Sequence, residues 1–322
     1  MATAIPSSPA SPKPIAEFLD KAGMLLVLAM LFIGCSVFVE NFFSWVNLRG
    51  LALAVSMTGM VACTMLFCLA AGDFDLSIGS IVACAGVLTA VVMNQTGSIT
   101  LGVLAGLGSG ALVGALNGYV VARLRINALI TTLATMQIVR GFGFIVSDGK
   151  AVGIGREEFF SLGNSAPLGI PTPVWITAAC FAVFGFILNR TVFGRDTLAV
   201  GGNPEAAHLA GIAVDRVKIA IFTAQGAMAA FAGIVLSSRV TSGQPNTSQG
   251  FELEVISACV LGGVSLTGGV GSMTFVIAGV LIMGLVQNAM NLMNVATFYQ
   301  YVARGLILLA AVLFDRWKRR KQ

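Results

Sequence analysis

Two carboxylates stand in a short polar interruption between long apolar runs. Asp73 and Asp75 belong to Gly72-Asp-Phe-Asp-Leu-Ser-Ile-Gly-Ser80, here named the first break (residues 72–80). If the flanking runs cross a membrane, a carboxylate at its centre costs roughly 2.5–3.5 kcal/mol, so both side chains need water, a partner or a helix N-terminus. Three interpretations remain open: Asp75 or Ser77 caps the next helix, one carboxylate lines or gates a solute path, or one relays protons.

Two sets of polar side chains recur at helical spacing inside apolar runs. Asn127, Thr131 and Thr135 are four residues apart, so a helix places them on one face. A second stripe contains Gln287 and Asn291. Such groups either bond to each other between helices, at about 0.6–2 kcal/mol per bond, or face a channel and offer weak partners to a passing solute. Both interpretations remain open.

A polar stretch at 190–216 holds a short segment suited to mechanical contact. The run Asn203-Pro-Glu-Ala-Ala-His-Leu-Ala-Gly211 has an asparagine N-cap, a proline at the first helical position, a glutamate in the first turn and a terminal glycine. It predicts a helix of about two turns, which must pack on something to be stable. The segment is either an ordinary connector or a rigid plug that fits a groove on a partner.

Motifs for self-contained catalysis are absent from the sequence. It has no Gly-x-x-x-x-Gly-Lys-Ser/Thr phosphate loop, no His-Glu-x-x-His and no Gly-x-Ser-x-Gly. The single histidine, His208, is expected on the surface of the two-turn helix. All six cysteines fall inside apolar runs, without the spacing of a zinc site or a disulfide framework, so no metal site is expected.

These residues are embedded in a chain too apolar for a soluble domain. Of 322 residues, 57% are hydrophobic and 10% are charged, against roughly 25% charged in an average soluble protein. Most of the chain must therefore be surrounded by lipid, and 38 glycines suit closely packed membrane helices. The net charge of +5 does not indicate a nucleic-acid partner, because the basic residues sit in short loops between apolar runs.

The sequence therefore predicts an all-α polytopic membrane protein, with about 20 apolar residues for each span. Ten spans are expected, near residues 22–39, 51–71, 76–93, 100–122, 127–146, 173–189, 217–237, 253–266, 272–292 and 297–314. They form a single transmembrane domain over 22–314. A disordered cytoplasmic tail is predicted at 1–21 and a basic cytoplasmic tail at 315–322.

The positive charges predict that both termini are cytoplasmic. Of nineteen lysines and arginines, thirteen fall in segments expected inside and two, Arg140 and Arg304, fall within spans. The other four, in expected outer loops, are Arg49, Lys150, Arg156 and Arg239. The two arginines within spans are expected to reach towards an interface and not to form a buried ion pair.

A second glycine-rich interruption, Gly262 to Ser272, is here named the second break (residues 262–272). With one break in each half, the chain is predicted to consist of two weakly symmetric five-span halves of opposite orientation. Broken helices of this kind are the best sequence-level indication of a translocation path.

Several of these segments together resemble one family over essentially the whole chain after the tail. The first break is similar to the Gly-Gly-Ile-Asp-Leu-Ser-Val-Gly-Ser signature of permeases from the ABC importers for ribose, arabinose and galactose. Glu205-Ala-Ala with Gly211 resembles the coupling loop of ABC-importer permeases, although the proline of the longer pattern is missing, since none follows until Pro245. The second break matches the family's second glycine-rich signature. Segments 127–140, 147–153 and 241–245 most resemble the branch that imports L-arabinose.

The resemblance implies a permease subunit, active as a homodimer in a bacterial inner membrane, that moves a monosaccharide such as L-arabinose into the cytoplasm by alternating access. It implies no enzyme activity and no cofactor on this chain, because ATP and Mg would be bound by a cytoplasmic partner subunit. That subunit would dock on the coupling residues Asn203, Glu205, Ala206, Ala207 and Gly211. A periplasmic sugar-binding protein would contact the outer loops at 147–172 and 237–254.

Two other functions remain open from the residues alone. A proton- or sodium-coupled secondary transporter also uses broken helices and inverted halves. A channel-like or purely structural membrane component is the third alternative.

Overall fold

The computed structural model describes the backbone of residues 14–319 and the side chains of residues 23–313. Most of the predicted N-terminal tail, residues 1–13, lies outside the described residues, and so do residues 320–322 of the predicted basic tail. The first helix begins at Pro14 and the last ends at Arg319, so both helices extend into the predicted tails.

Helices make up nearly all of the secondary structure. In chain order they are α1 (Pro14–Phe38), α2 (Trp45–Ala70), α3 (Ile78–Thr96), α4 (Ile99–Ala122), α5 (Ala128–Val146), α6 (Ser161–Asn164), α7 (Thr172–Arg190), α8 (Val192–Gly202), α9 (Pro204–Leu209), α10 (Val214–Arg239), α11 (Phe251–Leu261), α12 (Met273–Leu292) and α13 (Thr297–Arg319). Two short strands, β1 (Val152–Gly153) and β2 (Ser242–Gly243), pair antiparallel.

Within the described residues, seven helices are long and apolar enough to cross a membrane: α2, α3, α4, α5, α7, α10 and α12. Helices α1 and α13 contain shorter apolar stretches, Gly23–Phe38 and Thr297–Leu313. Helix α11 has 11 residues, which reach about 16 Å at 1.5 Å per residue, roughly half of a hydrocarbon core. The eighth predicted span, near 253–266, is therefore only half a span.

Helix α2 lies at the centre of the bundle, and residues 56–70 of this helix are all buried. It packs against α7, α8, α10, α11 and α12. Helix α4 packs against α3 and α10 through a stripe of glycines that lets their backbones approach closely. A Cβ at Gly114, for example, would lie 2.9 Å from the carbonyl carbon of Phe222 on α10.

The two breaks meet at one end of the bundle. The Gly269 amide of the second break donates to the carbonyl of Ala70, the last residue of α2, at 2.8 Å. Helices α8 and α9 lie at the same end, which we call the α9 end. Halves of inverted orientation would place equivalent breaks at opposite ends, so the two breaks are not symmetry counterparts of each other.

The opposite end carries an ordered loop, residues 147–171, that contains β1, α6 and two 3-10 turns. Asn94 of α3 holds this loop by donating to Gly153 at 2.6 Å and accepting from the Gly155 amide at 3.1 Å. On α10, the Ser238 hydroxyl donates to Phe159 at 2.7 Å. The loop is therefore fastened to the ends of α3 and α10.

The prediction of an outer loop at 237–254 is wrong, because most of this stretch folds back into the bundle. Residues 240–250, here named the re-entrant segment, pass along α3 from the level of Gly86 to the level of Gly79. A Cβ at Gly243 would lie 2.5 Å from the Gly86 carbonyl oxygen, and a Cβ at Gly79 would lie 2.5 Å from the Ser248 carbonyl oxygen. At 1.5 Å per helical residue this is a descent of about 10 Å.

Candidate functional site

The predicted two-turn helix is confirmed as α9, and its ends form as the sequence indicates. The Asn203 side chain accepts from the amides of Glu205 and Ala206, both at 3.0 Å. At the other end Gly211 has a φ of +88°. Its amide donates to His208 and the next amide, that of Ile212, donates to Ala207, as in a Schellman motif.

The faces of α9 separate candidate partner contacts from internal ones. Glu205, Ala206 and His208 are exposed, and Leu209 is 83% exposed. Ala207, in contrast, is 5% exposed and packs in the main core of this chain. Of the predicted coupling residues, Ala207 therefore anchors the helix, and its neighbours form the surface that a partner can reach.

Helix α8 connects this surface to the end of α2 and to the second break. A Cβ at Gly201 would overlap the Ala70 carbonyl oxygen and would lie 2.7 Å from the Gly269 amide nitrogen. Gly268 packs against the same residue of α8 from the second break. Since Asn203 follows α8 directly, α9 is joined through Gly201 to the end of α2 and to the second break.

The first break is tied to α10 by an ion pair between Asp73 and Lys218, whose charged atoms are 2.8 Å apart. Their side chains are only 11% and 18% exposed. Breaking a pair this far buried costs more than breaking a surface pair, because the remaining charge has little water around it.

Asp75 belongs to a buried polar network across three helices. Its Oδ1 accepts from the Ser77 amide at 2.9 Å and from the Ser77 hydroxyl at 2.5 Å. Ser77 in turn accepts from Asn117 of α4 at 3.1 Å, and Asn117 accepts from Thr135 of α5 at 2.7 Å. Ser77 occupies the N-cap position of α3 without a side-chain capping bond, so the capping contact comes from Asp75.

Asn117 was not singled out in the sequence. It lies between Gly114 and Gly118 of the α4 glycine stripe, and its 1% exposure in the middle of an apolar helix is the property that marks it. A single asparagine in an apolar run was the available signal.

The rest of the first polar stripe serves the helix itself. Asn127 is the N-cap of α5 and accepts from the amides of Leu129 and Ile130 at 2.9 and 3.4 Å. The Thr131 hydroxyl donates back to the Asn127 carbonyl at 3.0 Å. Only Thr135 reaches another helix, so the structure does not bring all three residues together on a path.

The second stripe joins helices near the opposite end. Asn291 accepts from Gln300 of α13 at 2.9 Å, and Asn288 exchanges two amide bonds with Asn47 of α2, at 2.8 and 3.0 Å. Gln287 is half-buried on the same helix. These contacts are those of polar groups that hold helices together.

Charges of the first turn of α11 form a cluster that the sequence did not predict. Glu254 accepts from Thr58, halfway along α2, at 2.7 Å and pairs with Arg304 of α13 at 3.6 Å. Arg140 of α5 donates to the re-entrant segment and is close enough to Glu252 for the two charges to attract each other. The expectation that Arg304 avoids an ion pair is wrong, because α11 begins inside the bundle and brings Glu254 to it.

Both breaks, the re-entrant segment and nearly all of α2 lie in the part of the chain that matches a known family. The family model described as "Branched-chain amino acid transport system / permease component" matches residues 47–312. The chain belongs to this permease family. Its apolar helices and its family together indicate a multi-pass protein of the inner membrane.

Relatives of this permease are similar over nearly their whole length. The L-arabinose transport system permease protein AraH of Escherichia coli (strain K12) is 62% identical over 94% of this chain and 92% of its own. The L-arabinose ABC transporter permease protein AraH of Azospirillum brasilense is 52% identical over 95% and 90%. The ribose import permease protein RbsC of Bacillus subtilis (strain 168) is 38% identical over 93% and 94%. No solved structure matches the chain.

The expected resemblance to sugar-importer permeases is thus confirmed. Within this permease, the three segments that indicated the L-arabinose branch come together near the opposite end. Strand β1 brings 147–153 to 241–245 through β2, and Arg140, at the end of 127–140, bonds to Pro245.

Proposed function

We propose that the chain is the membrane-spanning subunit of an ATP-driven importer that carries L-arabinose into the cytoplasm. The observation that supports this most is the α8–α9 segment: a capped, exposed two-turn helix follows α8, and Gly201 of α8 contacts the end of α2 and the second break. Such an arrangement suits a transporter whose energy arrives from a partner on one face. The sugar is inferred from the relatives, which are named for L-arabinose transport at 62% and 52% identity.

In this proposal the α9 end is cytoplasmic and the chain crosses the membrane ten times, with both termini inside. The excess of lysine and arginine on that side supports this orientation. The two halves are inverted, and the counterpart of the first break is the re-entrant segment at the opposite end. Both interrupt the chain directly after a central 26-residue helix, α2 or α10.

The working complex would contain two copies of this chain, two cytoplasmic ATP-binding subunits that hold ATP and Mg, and a periplasmic sugar-binding protein. ATP binding moves the cytoplasmic subunits, which push on α9. The push favours one of two arrangements of the helices, because a partner shifts an equilibrium only by preferring one state. The chain itself performs no chemistry on the sugar and needs no cofactor of its own.

Uptake by living cells tests this proposal. Deleting the gene should abolish uptake of labelled L-arabinose, and restoring it should recover uptake. Unlabelled L-arabinose should compete much better than ribose, xylose or galactose. Unchanged L-arabinose uptake in the deletion strain, where no other L-arabinose carrier is expressed, would refute the assignment of the sugar.

One observation favours the secondary transporter as a second candidate. Asp75 is fully buried, and within the described residues its Oδ2 has no hydrogen-bond partner. A carboxylate in this position could carry a proton. Asp75→Asn separates the two functions: a proton carrier loses all uptake with normal assembly, whereas a capping residue keeps part of it because the amide oxygen still accepts from Ser77.

A further inference from the structure

One side chain fastens the re-entrant segment to the bundle from the side of α5. The Arg140 guanidinium donates to the Pro245 carbonyl at 2.9 Å and to the Thr247 carbonyl at 2.6 Å. Arginine offers five donors in a rigid fork, so a single side chain can satisfy two backbone oxygens of an irregular segment. Irregular backbone at membrane depth is tolerated only where such partners exist or where it lines a water-filled cavity.

The position of this segment explains why its fastening matters. Helix α11 begins level with Thr58, halfway along α2, and runs only towards the α9 end. On the outer side of α11, the re-entrant segment runs along α3 between the levels of Gly86 and Gly79. Residues 244–250, which follow strand β2, have no regular secondary structure, so this part of the segment can leave its position without breaking a hydrogen-bonded ladder.

The tip of the segment is held from two sides. Glu252 and Glu254 are two residues apart and so point in roughly opposite directions from α11. Glu252 lies towards α3 and Arg140, and Glu254 towards α2 and Arg304. The first turn of α11 is thus fixed between the last helices of the two halves, α5 and α13.

In this conformation the segment fills its position closely. The cavity between it, α3 and α10 has a volume of only about 30 Å³, lined by Ser237, Gln244 and Thr247 among others. That space suits about one water molecule and excludes a sugar.

We propose that the re-entrant segment is the outer gate of the sugar path and that Arg140 is the positioning residue that holds it closed. Opening requires the Pro245 and Thr247 carbonyls to leave the guanidinium, while Glu254 and Arg304 keep α11 in place. The inference rests on the proposed function for the direction of transport. The contact itself does not depend on which solute passes.

Thiol labelling from the outer side tests the gate. Thr247→Cys introduces a thiol into the half-buried segment, and intact cells expressing the full chain are treated with a membrane-impermeant maleimide. Adding Arg140→Gln should raise the labelling rate of this thiol by about tenfold, because two charge-assisted bonds are lost. Arg140→Lys should give an intermediate rate, since lysine keeps the charge but not the fork.

Two controls make the result specific. Arg156→Gln removes an exposed arginine from the 147–171 loop and should leave the labelling rate unchanged. The parent chain, with its six native cysteines and Thr247, gives the background. An unchanged rate in Arg140→Gln, with normal membrane levels of the protein, would overturn the proposal.

A second measurement does not depend on the Arg140 variants folding. With Arg140 intact, the labelling rate of Thr247→Cys should differ by several-fold between the resting complex and the complex trapped with ATP and vanadate. Thr96→Cys, at the exposed end of α3, should show no such difference. Equal rates for Thr247→Cys in both states would also overturn the gate. If the labelling rate of Thr247→Cys differs between the two states but L-arabinose uptake does not depend on this chain, only the proposed sugar is refuted.

Discussion

The contact between α8 and the end of α2 gives a sharp prediction, because two adjacent glycines differ in their surroundings. A Cβ at Gly201 would lie 2.8 Å from the Ala70 carbonyl carbon, whereas a Cβ at Gly202 would meet nothing within 4 Å. Since carbon atoms prefer about 3.5–4.0 Å, Gly201→Ala must push α8 away from α2 by about 1 Å. Overpacking of this kind typically costs about 1–3 kcal/mol.

The same displacement strains the bond from the Gly269 amide to the Ala70 carbonyl, which is worth about 0.5–1.5 kcal/mol. A total near 2 kcal/mol corresponds to about thirtyfold in an equilibrium constant. We therefore expect Gly201→Ala to lower sugar uptake per ATP hydrolysed by at least about tenfold. Replacing glycine by alanine raises helix propensity by about 1 kcal/mol at either position. Gly202→Ala is therefore the matched control, because it has the same gain in helix propensity without the close contact.

The assay is the ratio of L-arabinose uptake to ATP hydrolysis in the reconstituted complex, with thermal denaturation of each variant measured in parallel. Gly202→Ala should stay within about twofold of the parent, because the new methyl group meets open space. Normal coupling in Gly201→Ala, or an equal loss in Gly202→Ala, would refute transmission through this contact.

Three further predictions concern neighbouring contacts. Gly211→Arg should leave membrane insertion intact but uncouple ATP hydrolysis from uptake, because a φ of +88° is strained for any other residue; normal uptake would argue against docking at α9. Asp73→Asn should destabilise the protein by about 3–5 kcal/mol in detergent unfolding, since Lys218 stays buried without its partner, and adding Lys218→Met should recover part of this loss. Asn117→Ala should lower the unfolding free energy by about 1–2 kcal/mol, and a neutral result would show that the network has no energetic role.

Much of the α9 end could be predicted from the sequence because its signals are local. Asn203, Pro204 and Gly211 lie within one short segment, and each fixes a backbone group beside it. The long apolar runs gave most helices within a few residues of their observed ends, because span length is set by the thickness of the membrane. The exposed residues of α9 could also be predicted from the local signals of its segment, although the burial of Ala207 could not.

The re-entrant segment could not be predicted in this way. Hydropathy distinguishes apolar from polar stretches but not whether a polar stretch leaves the bundle or turns back into it. Glu252 and Glu254 looked like loop charges because their partners, Arg140 and Arg304, are distant in sequence. The meeting of Ala70 with Gly269 likewise depends on the packing of helices from both ends of the chain.

Transport by purified components in liposomes tests the central proposal most directly. The chain is reconstituted with its ATP-binding subunit and the sugar-binding protein, and accumulation of labelled L-arabinose is measured with and without ATP. Accumulation should require both ATP and the sugar-binding protein and should persist when ionophores abolish proton and sodium gradients. Accumulation driven by an ion gradient in the absence of ATP would contradict an ATP-driven importer and establish the secondary transporter.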